Sequence, residues 1–294
     1  MDRKEFEKIK GKEKFGVEDK ISYLKRLMTP YDGNKTFLLQ YLEADGNELH
    51  DKFWSYKSSS RFAFELYSWL VNGTAKNFEF EKKLNGIKHA TPPNMDVYFE
   101  IENRAIFIES KFSEEYVPTI DDLPDAYYKE KGEAYDSKGK NLLKSKLSER
   151  YHGQEDIAVE IQELVEKTRK IVNKMPSRKT WMYFKQEITH LVGIALTVRL
   201  DKTGYYKDKD IEFYNIYYDF GDDIEKEVEP FFTECQILMC KLLKDYCKSF
   251  TYSHMSAQEM VKSRTITNFD SNTLAFESNK TIGEILKEQF KFEF

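Results

Sequence analysis

Asp96-Val-Tyr-Phe-Glu-Ile-Glu-Asn-Arg-Ala-Ile-Phe-Ile-Glu109-Ser-Lys111 is the stretch on which the fold turns. Two runs of alternating apolar and polar residues flank Glu102-Asn-Arg-Ala105, which reads as a hairpin. Side chains in a strand alternate between faces. Met95, Val97, Phe99 and Ile101 therefore share one face of the first strand, and Asp96, Tyr98, Glu100 and Glu102 the other. In the second strand Ile106, Ile108, Ser110 and Phe112 oppose Ala105, Phe107, Glu109 and Lys111. With Asn103 and Arg104 as a two-residue loop, Asn103 supplying the positive φ of a tight turn, Glu102 pairs with Ala105, Tyr98 with Glu109 and Asp96 with Lys111. Opposed residues project from the same face, so Asp96, Glu109 and Lys111 meet on one surface, with Asp96 and Glu109 as diagonal neighbours. A three-residue loop would turn Glu109 to the other face. The opposite face, from Met95 to Phe112, is apolar and expects a cover of helices.

Two carboxylates held together repel unless a cation lies between them, and hard oxygen ligands suit Mg²⁺, with Mn²⁺ able to substitute. A cation there lowers the pKa of a bound water and stabilises charge on a phosphoryl oxygen. Lys111 is placed to orient that water or to stabilise the attacked phosphate.

Pro93-Asn-Met-Asp96 followed by Glu109-Ser-Lys111 resembles the motif of the PD-(D/E)XK nuclease superfamily, with its restriction-endonuclease-like fold. The proline lies three residues before the aspartate instead of beside it. The resemblance implies that Asp96 and Glu109 bind metal, that the Ser110 carbonyl adds a ligand, and that Lys111 is the catalytic lysine. Charged residues make up 33% of the chain, so Glu-x-Lys triplets arise by chance, and the alternative is a solvated face of an ordinary hairpin. Strand parity and the apolar setting favour the site.

Upstream, Ser58 to Val71 reads as a helix, with serines at its start and Asn72-Gly73 as its stop. Phe62, Leu66, Trp69 and Leu70 form its buried stripe, and Glu65 sits at the stripe's edge, where an unpaired charge is costly. Glu65 resembles the acidic residue on the helix before the core sheet in many PD-(D/E)XK enzymes; pairing with Arg61 is the alternative. Downstream, Trp181 to Val198 reads as a helix with Gln186 and His190 on one face. It is similar to the Gln-x-x-x-Tyr helix of RecB-type nucleases, His190 standing where they have Tyr, with Lys185 as a secondary candidate. A packed core histidine is the competing reading of His190.

Strands at 78–84, 95–102, 105–112 and 211–220, interspersed with helices, predict an α/β chain with an α/β/α core and a central mixed sheet. His190-Leu-Val-Gly193 and Tyr217-Tyr-Asp-Phe220 are similar to a group of restriction endonucleases, a resemblance spanning most of residues 60–250. The organisation expected is a helical extension over 1–57, a nuclease-like domain over 58–250 with a charged insertion at about 113–155, and a C-terminal extension over 251–294. Residues 251–280 read as loop with short strands, ahead of a final helix at 281–289.

The chain of 294 residues, 40% hydrophobic and 15% aromatic, is ample for a packed interior. No apolar run is long enough to span a bilayer and the first residues lack the hydrophobic segment of a signal peptide, so a cytoplasmic location without membrane contact is expected. Cys235, Cys240 and Cys247 fall in one helical stretch, 230–250, and read as reduced thiols.

The formal net charge of −5 argues against nucleic-acid binding unless cations are concentrated locally. Lys138, Lys140, Lys144, Lys146 and Arg150, interleaved with tyrosines after the catalytic lysine, are the candidate nucleic-acid contacts; a solvated charged segment is the alternative. The reading is thus a Mg²⁺-dependent endonuclease, with DNA as the partner, Asp96, Glu109 and Lys111 at its centre, and Glu65 and Gln186 assisting. RNA cleavage, or a non-catalytic nucleic-acid-binding or assembly protein of the same fold, are the alternatives. A homodimer is implied by the family, since cutting both strands takes two sites.

Overall fold

The structure, a computed structural model, describes residues 39–41, 53, 58–67, 75–112, 114–129, 146–175, 179–220, 225–263, 281, 283, 284 and 287. Lys138, Lys140 and Lys144, nearly all of 1–57 and most of 264–294 lie outside the described residues.

Five strands form one sheet in the order β1 (Lys76–Lys83), β2 (Asn94–Ile101), β3 (Arg104–Lys111), β4 (Asp210–Tyr217) and β5 (Ser249–Ser256). β1, β2 and β3 are antiparallel neighbours; β4 and β5 join β3 in parallel. Parallel neighbours need long crossovers. The first passes through α2 (Leu147–Arg150), α3 (Glu155–Val172) and α4 (Phe184–Arg199), the second through α5 (Glu225–Leu243). α1 (Ser59–Tyr67) precedes the sheet and α6 (Ala257–Ser263) follows it. The chain is therefore α/β, with a mixed sheet covered by helices on both faces. No helix among the described residues is long and apolar enough to cross a membrane.

One core joins Tyr98, Phe107, Phe213 and Tyr252 to residues of α3, α4 and α5. The other joins Val97, Phe99, Ile106, Ile108 and Phe112 to α1 and α6, with Tyr41 and Phe53 buried in it. α3 is amphipathic, burying Ile157, Ile161, Leu164, Val165 and Thr168, with Glu155 and Asp156 in its first turn and Arg169 and Lys170 in its last, as the helix dipole favours. α4 lies deeper: eleven of its sixteen residues are buried, which is why Ile188 to Val198 is apolar almost all round.

Several expectations are corrected. The hairpin loop is Glu102-Asn103, Ile101 pairing with Arg104, and the positive φ (53°) belongs to Glu102. The shift is two residues, so parity survives and Glu109 keeps its face; Asp96 now falls level with Glu109 instead of Lys111. The working face is not open along its length, since Tyr98, Ala105 and Phe107 are buried under helices, and Met95 packs with that core instead of with Val97 and Phe99. The helix expected from Trp181 begins at Phe184, and the cysteine helix ends at Leu243, leaving Cys247 beyond it. The sheet runs past residue 250: β5 pairs with β4 from Asp210–Ser249 to Tyr217–Ser256. Gln236 of α5 serves its outer edge, donating to the Phe250 carbonyl (2.8 Å) and accepting the Tyr252 N–H (2.5 Å) as a neighbouring strand would.

Candidate active site

β2 and β3 pair from Ile101–Arg104 to Val97–Ile108. Beyond that point a side chain replaces the ladder: the Ser110 N–H donates to Asp96 Oδ2 at 2.7 Å. In an extended strand a residue's N–H and C=O face the same edge, so the Ser110 carbonyl also points toward Asp96. Glu109 and Lys111 project from the face covered by α4. Lys111 Nζ donates to Glu109 Oε1 and to Gln186 Oε1, both at 2.6 Å, with all but a few per cent of the Lys111 and Glu109 side chains withdrawn from solvent.

These groups form the floor of a cleft of about 570 Å³. Ser58, Ser59 and Ser60 at the start of α1 make one wall, Gln186, Thr189 and His190 of α4 another, and Glu114 and Tyr116 lie beyond β3. α4 reaches the floor because residue 193 is glycine: a Cβ there would stand 2.6 Å from Pro93 Cγ and 2.9 Å from Leu84 Cδ1. His190 Nδ1 stands 3.5 Å from Glu109 Oε2, and neither atom has a hydrogen-bond partner within the described protein.

Electrostatics sort the roles. Burial opposes the charge on Lys111, but Glu109, with Tyr116, Glu114 and Asp96 behind it, holds its pKa well above the ordinary lysine value. Lys111 is thus a charged donor at neutral pH and not a base. Burial, then the charges of Glu109 and Glu81, push Asp96 well above the usual carboxylate range. Burial lowers His190 against the pull of Glu109, so its ring is neutral. Burial and Glu109 raise Glu187 to about 7, although Tyr252 donates to it at 2.7 Å.

Among the described residues no three His, Cys, Asp or Glu side chains are grouped as a metal cage. The donor set nevertheless fits a hard cation: Asp96 and Glu109 repel each other, Glu109 Oε2 is buried without a hydrogen bond, and the Ser110 carbonyl faces the same fork. Mg²⁺ is commonly held by one or two carboxylates and keeps several waters, so a full protein cage is not required.

Asp96, Glu109, Lys111 and Gln186 are brought together as the sequence suggested. Glu65 is buried in α1 and does not line the cleft. The acidic neighbour of Asp96 is Glu81 of β1, which sequence reasoning missed; Phe80 pairs with Val97 and Lys82 with Met95, so Glu81 falls opposite Asp96. Its strand was legible, but the ten residues from Leu84 to Pro93 leave the register open. Arg150 is not a nucleic-acid contact: it is fully buried, donating to the carbonyls of Ala126 (2.7 Å) and Lys129, and it ties the post-β3 segment to α2. Lys146 is exposed at the start of α2.

No family model matches the chain, and neither a curated protein nor a solved structure is significantly similar to it.

Proposed function

We propose that the protein is a metal-dependent nuclease of the restriction or defence type, hydrolysing phosphodiester bonds in DNA, with Mg²⁺ as its cation and Mn²⁺ able to substitute. The observation that carries this reading is the convergence of Asp96, Glu109 and a charged Lys111 at the forked end of β2 and β3. Helices on both faces of a mixed sheet, with these residues at the strand ends, support the resemblance to the PD-(D/E)XK superfamily.

Asp96, Glu109 and the Ser110 carbonyl would hold the cation. When bound, it acidifies a water and offsets charge on the phosphoryl group. Lys111 carries three N–H donors; two are spent on Glu109 and Gln186, which leaves one for the attacked phosphate or for the incoming water. Gln186 fixes the direction of the ammonium, and the neutral ring of His190 beside Glu109 adds no second positive charge to the floor. Preorganised donors of this kind contribute because they need no reorientation as charge develops.

The test is incubation with plasmid, linear and single-stranded DNA and with RNA, in Mg²⁺, Mn²⁺ or EDTA. Cleavage of DNA that EDTA abolishes is expected. Cleavage that persists in EDTA, or no cleavage of any nucleic acid by folded protein in either metal, rejects the reading.

A further inference from the structure

An aromatic pair, one member of which lines the cleft, stands beside the candidate site. Tyr116 lines the cleft, with Lys111 Nζ 6.0 Å from its ring centre. Tyr183 stacks on Tyr116, centroids 4.4 Å apart and planes within 5°. Both rings are half-buried. The Tyr116 backbone is pinned by an isolated bridge to Thr180, three residues before Tyr183: the Tyr116 N–H donates to the Thr180 carbonyl at 2.7 Å and the Thr180 N–H returns to the Tyr116 carbonyl at 2.8 Å. Lys185 Nζ lies 5.7 Å from the Tyr183 ring centre and 3.9 Å from Asp122, a loose ion pair that leaves its charge available. The Tyr183 hydroxyl donates to Asp122, which fixes the tilt of the ring.

The charge balance decides what such a site suits. Lys111 is the only Lys or Arg among the described residues lining the cleft, and it faces Glu81, Asp96, Glu109 and Glu114. Duplex DNA is held chiefly by rows of cations along two backbones, which the described part of the lining does not offer. The remaining wall is neutral and hydrogen-bonding: Ser58, Ser59, Ser60, Asn94, Gln186 and Thr189. Single strands are bound by aromatic side chains on which bases stack, together with cations that track one backbone, and here Lys111 stands near the Tyr116 ring and Lys185 near the Tyr183 ring. The cleft's volume of about 570 Å³ is that of a small-ligand site.

We propose that the substrate is an unpaired nucleic-acid strand, its base stacked on the Tyr116–Tyr183 pair, a phosphate drawn by Lys185, and the next phosphate at Lys111. This rests on the nuclease reading and narrows it, with unpaired segments taking the place of an intact duplex. A cut in one strand needs one site, so no second protomer is demanded.

Two readouts separate the failure of this proposal from that of the nuclease reading. Binding of a fluorescent single-stranded oligonucleotide and of its duplex, by anisotropy in EDTA, does not depend on turnover. Tighter binding of the single strand is expected, with Tyr183→Leu weakening it about tenfold, a typical loss for one stacked base. Tyr183→Phe, which loses the hydroxyl and keeps the ring, should retain the preference, and Tyr183→Trp covers the case in which the leucine variant misfolds. The second readout is cleavage in Mg²⁺, where kcat/KM should favour the single strand and the Tyr183→Leu loss should fall mainly on KM. Equal or tighter duplex binding, or a preference that Tyr183→Leu leaves intact, overturns the proposal even if cleavage is seen. Single-strand binding lost with Tyr183 but without any cleavage would uphold the platform and reject the nuclease.

Discussion

Lys111 keeps its charge chiefly because Glu109 is beside it, and its ammonium answers one of the buried Glu109 oxygens. That juxtaposition was legible in the sequence because alternate residues of a strand, Glu109 and Lys111, must share a face. Single residues read from composition fared worse. Arg150 looked like a phosphate contact because it sits in a basic run, yet its guanidinium closes main-chain carbonyls in the interior. Glu187 carried no sequence signal beyond its place in an apolar helix, and it is the buried acid whose titration is most exposed to test. Its carboxyl, near 4.5 unfolded, rises to about 7, first through burial and then through Glu109. A value raised by folding stabilises the protein below the unfolded value, and that contribution is lost as pH climbs through the folded one. Glu187→Gln removes the loss. Chemical denaturation should show wild type losing about 3 kcal/mol relative to the variant between pH 4.5 and 8; a pH-independent difference would show that Glu187 ionises normally.

At the scale of elements, strands were readable where periodicity was strong, as in β2 and β3. Their ends and partners were not. A two-residue slip in the hairpin escaped notice because it preserves parity, and β5 was anticipated only as short strands within loop from 251 because Ser249-Phe-Thr-Tyr-Ser-His-Met-Ser256 is too polar to announce a sheet strand. Its outer edge is met from α5 by Gln236, which bonds Phe250 and Tyr252. Gly193 shows the same dependence on distant partners: its lack of a side chain matters only because Pro93 and Leu84 pack against that point of α4. Alanine there gains about 1 kcal/mol in helix propensity and incurs about 1–3 kcal/mol of overpacking. Proline is a rigid neighbour, so the overpacking should win. Gly193→Ala is expected to lower stability by about 1 kcal/mol and, by lifting α4, to loosen the Gln186–Lys111 hydrogen bond. A variant more stable than wild type would contradict the close packing that positions α4 over the site.

For the molecule as a whole, the acidic balance and the site belong to one design. The chain's net charge is −5, and among the described residues lining the cleft Lys111 is the only Lys or Arg. On the proposed reading, substrate affinity would draw on stacking, on neutral hydrogen bonds and on a cation joining Asp96 and Glu109. The α/β class and mixed sheet followed from the order of patterned segments, because a hairpin followed by long helical crossovers leaves little choice of topology. The depth of burial around the site did not follow, since it depends on which helix covers which face.

The roles assigned to Glu109 and Lys111 are separable in one experiment: Mn²⁺ titration and single-turnover DNA cleavage measured together on wild type, Glu109→Gln and Lys111→Met. Glu109→Gln should lose both Mn²⁺ binding and cleavage. Lys111→Met should bind Mn²⁺ at least as tightly as wild type, because Glu109 Oε1 is released from the ammonium, while cleavage falls by about 10²–10³-fold, the loss typical of removing one preorganised donor. Cleavage by Lys111→Met at the wild-type rate, or by Glu109→Gln with Mn²⁺ affinity intact, would contradict the account.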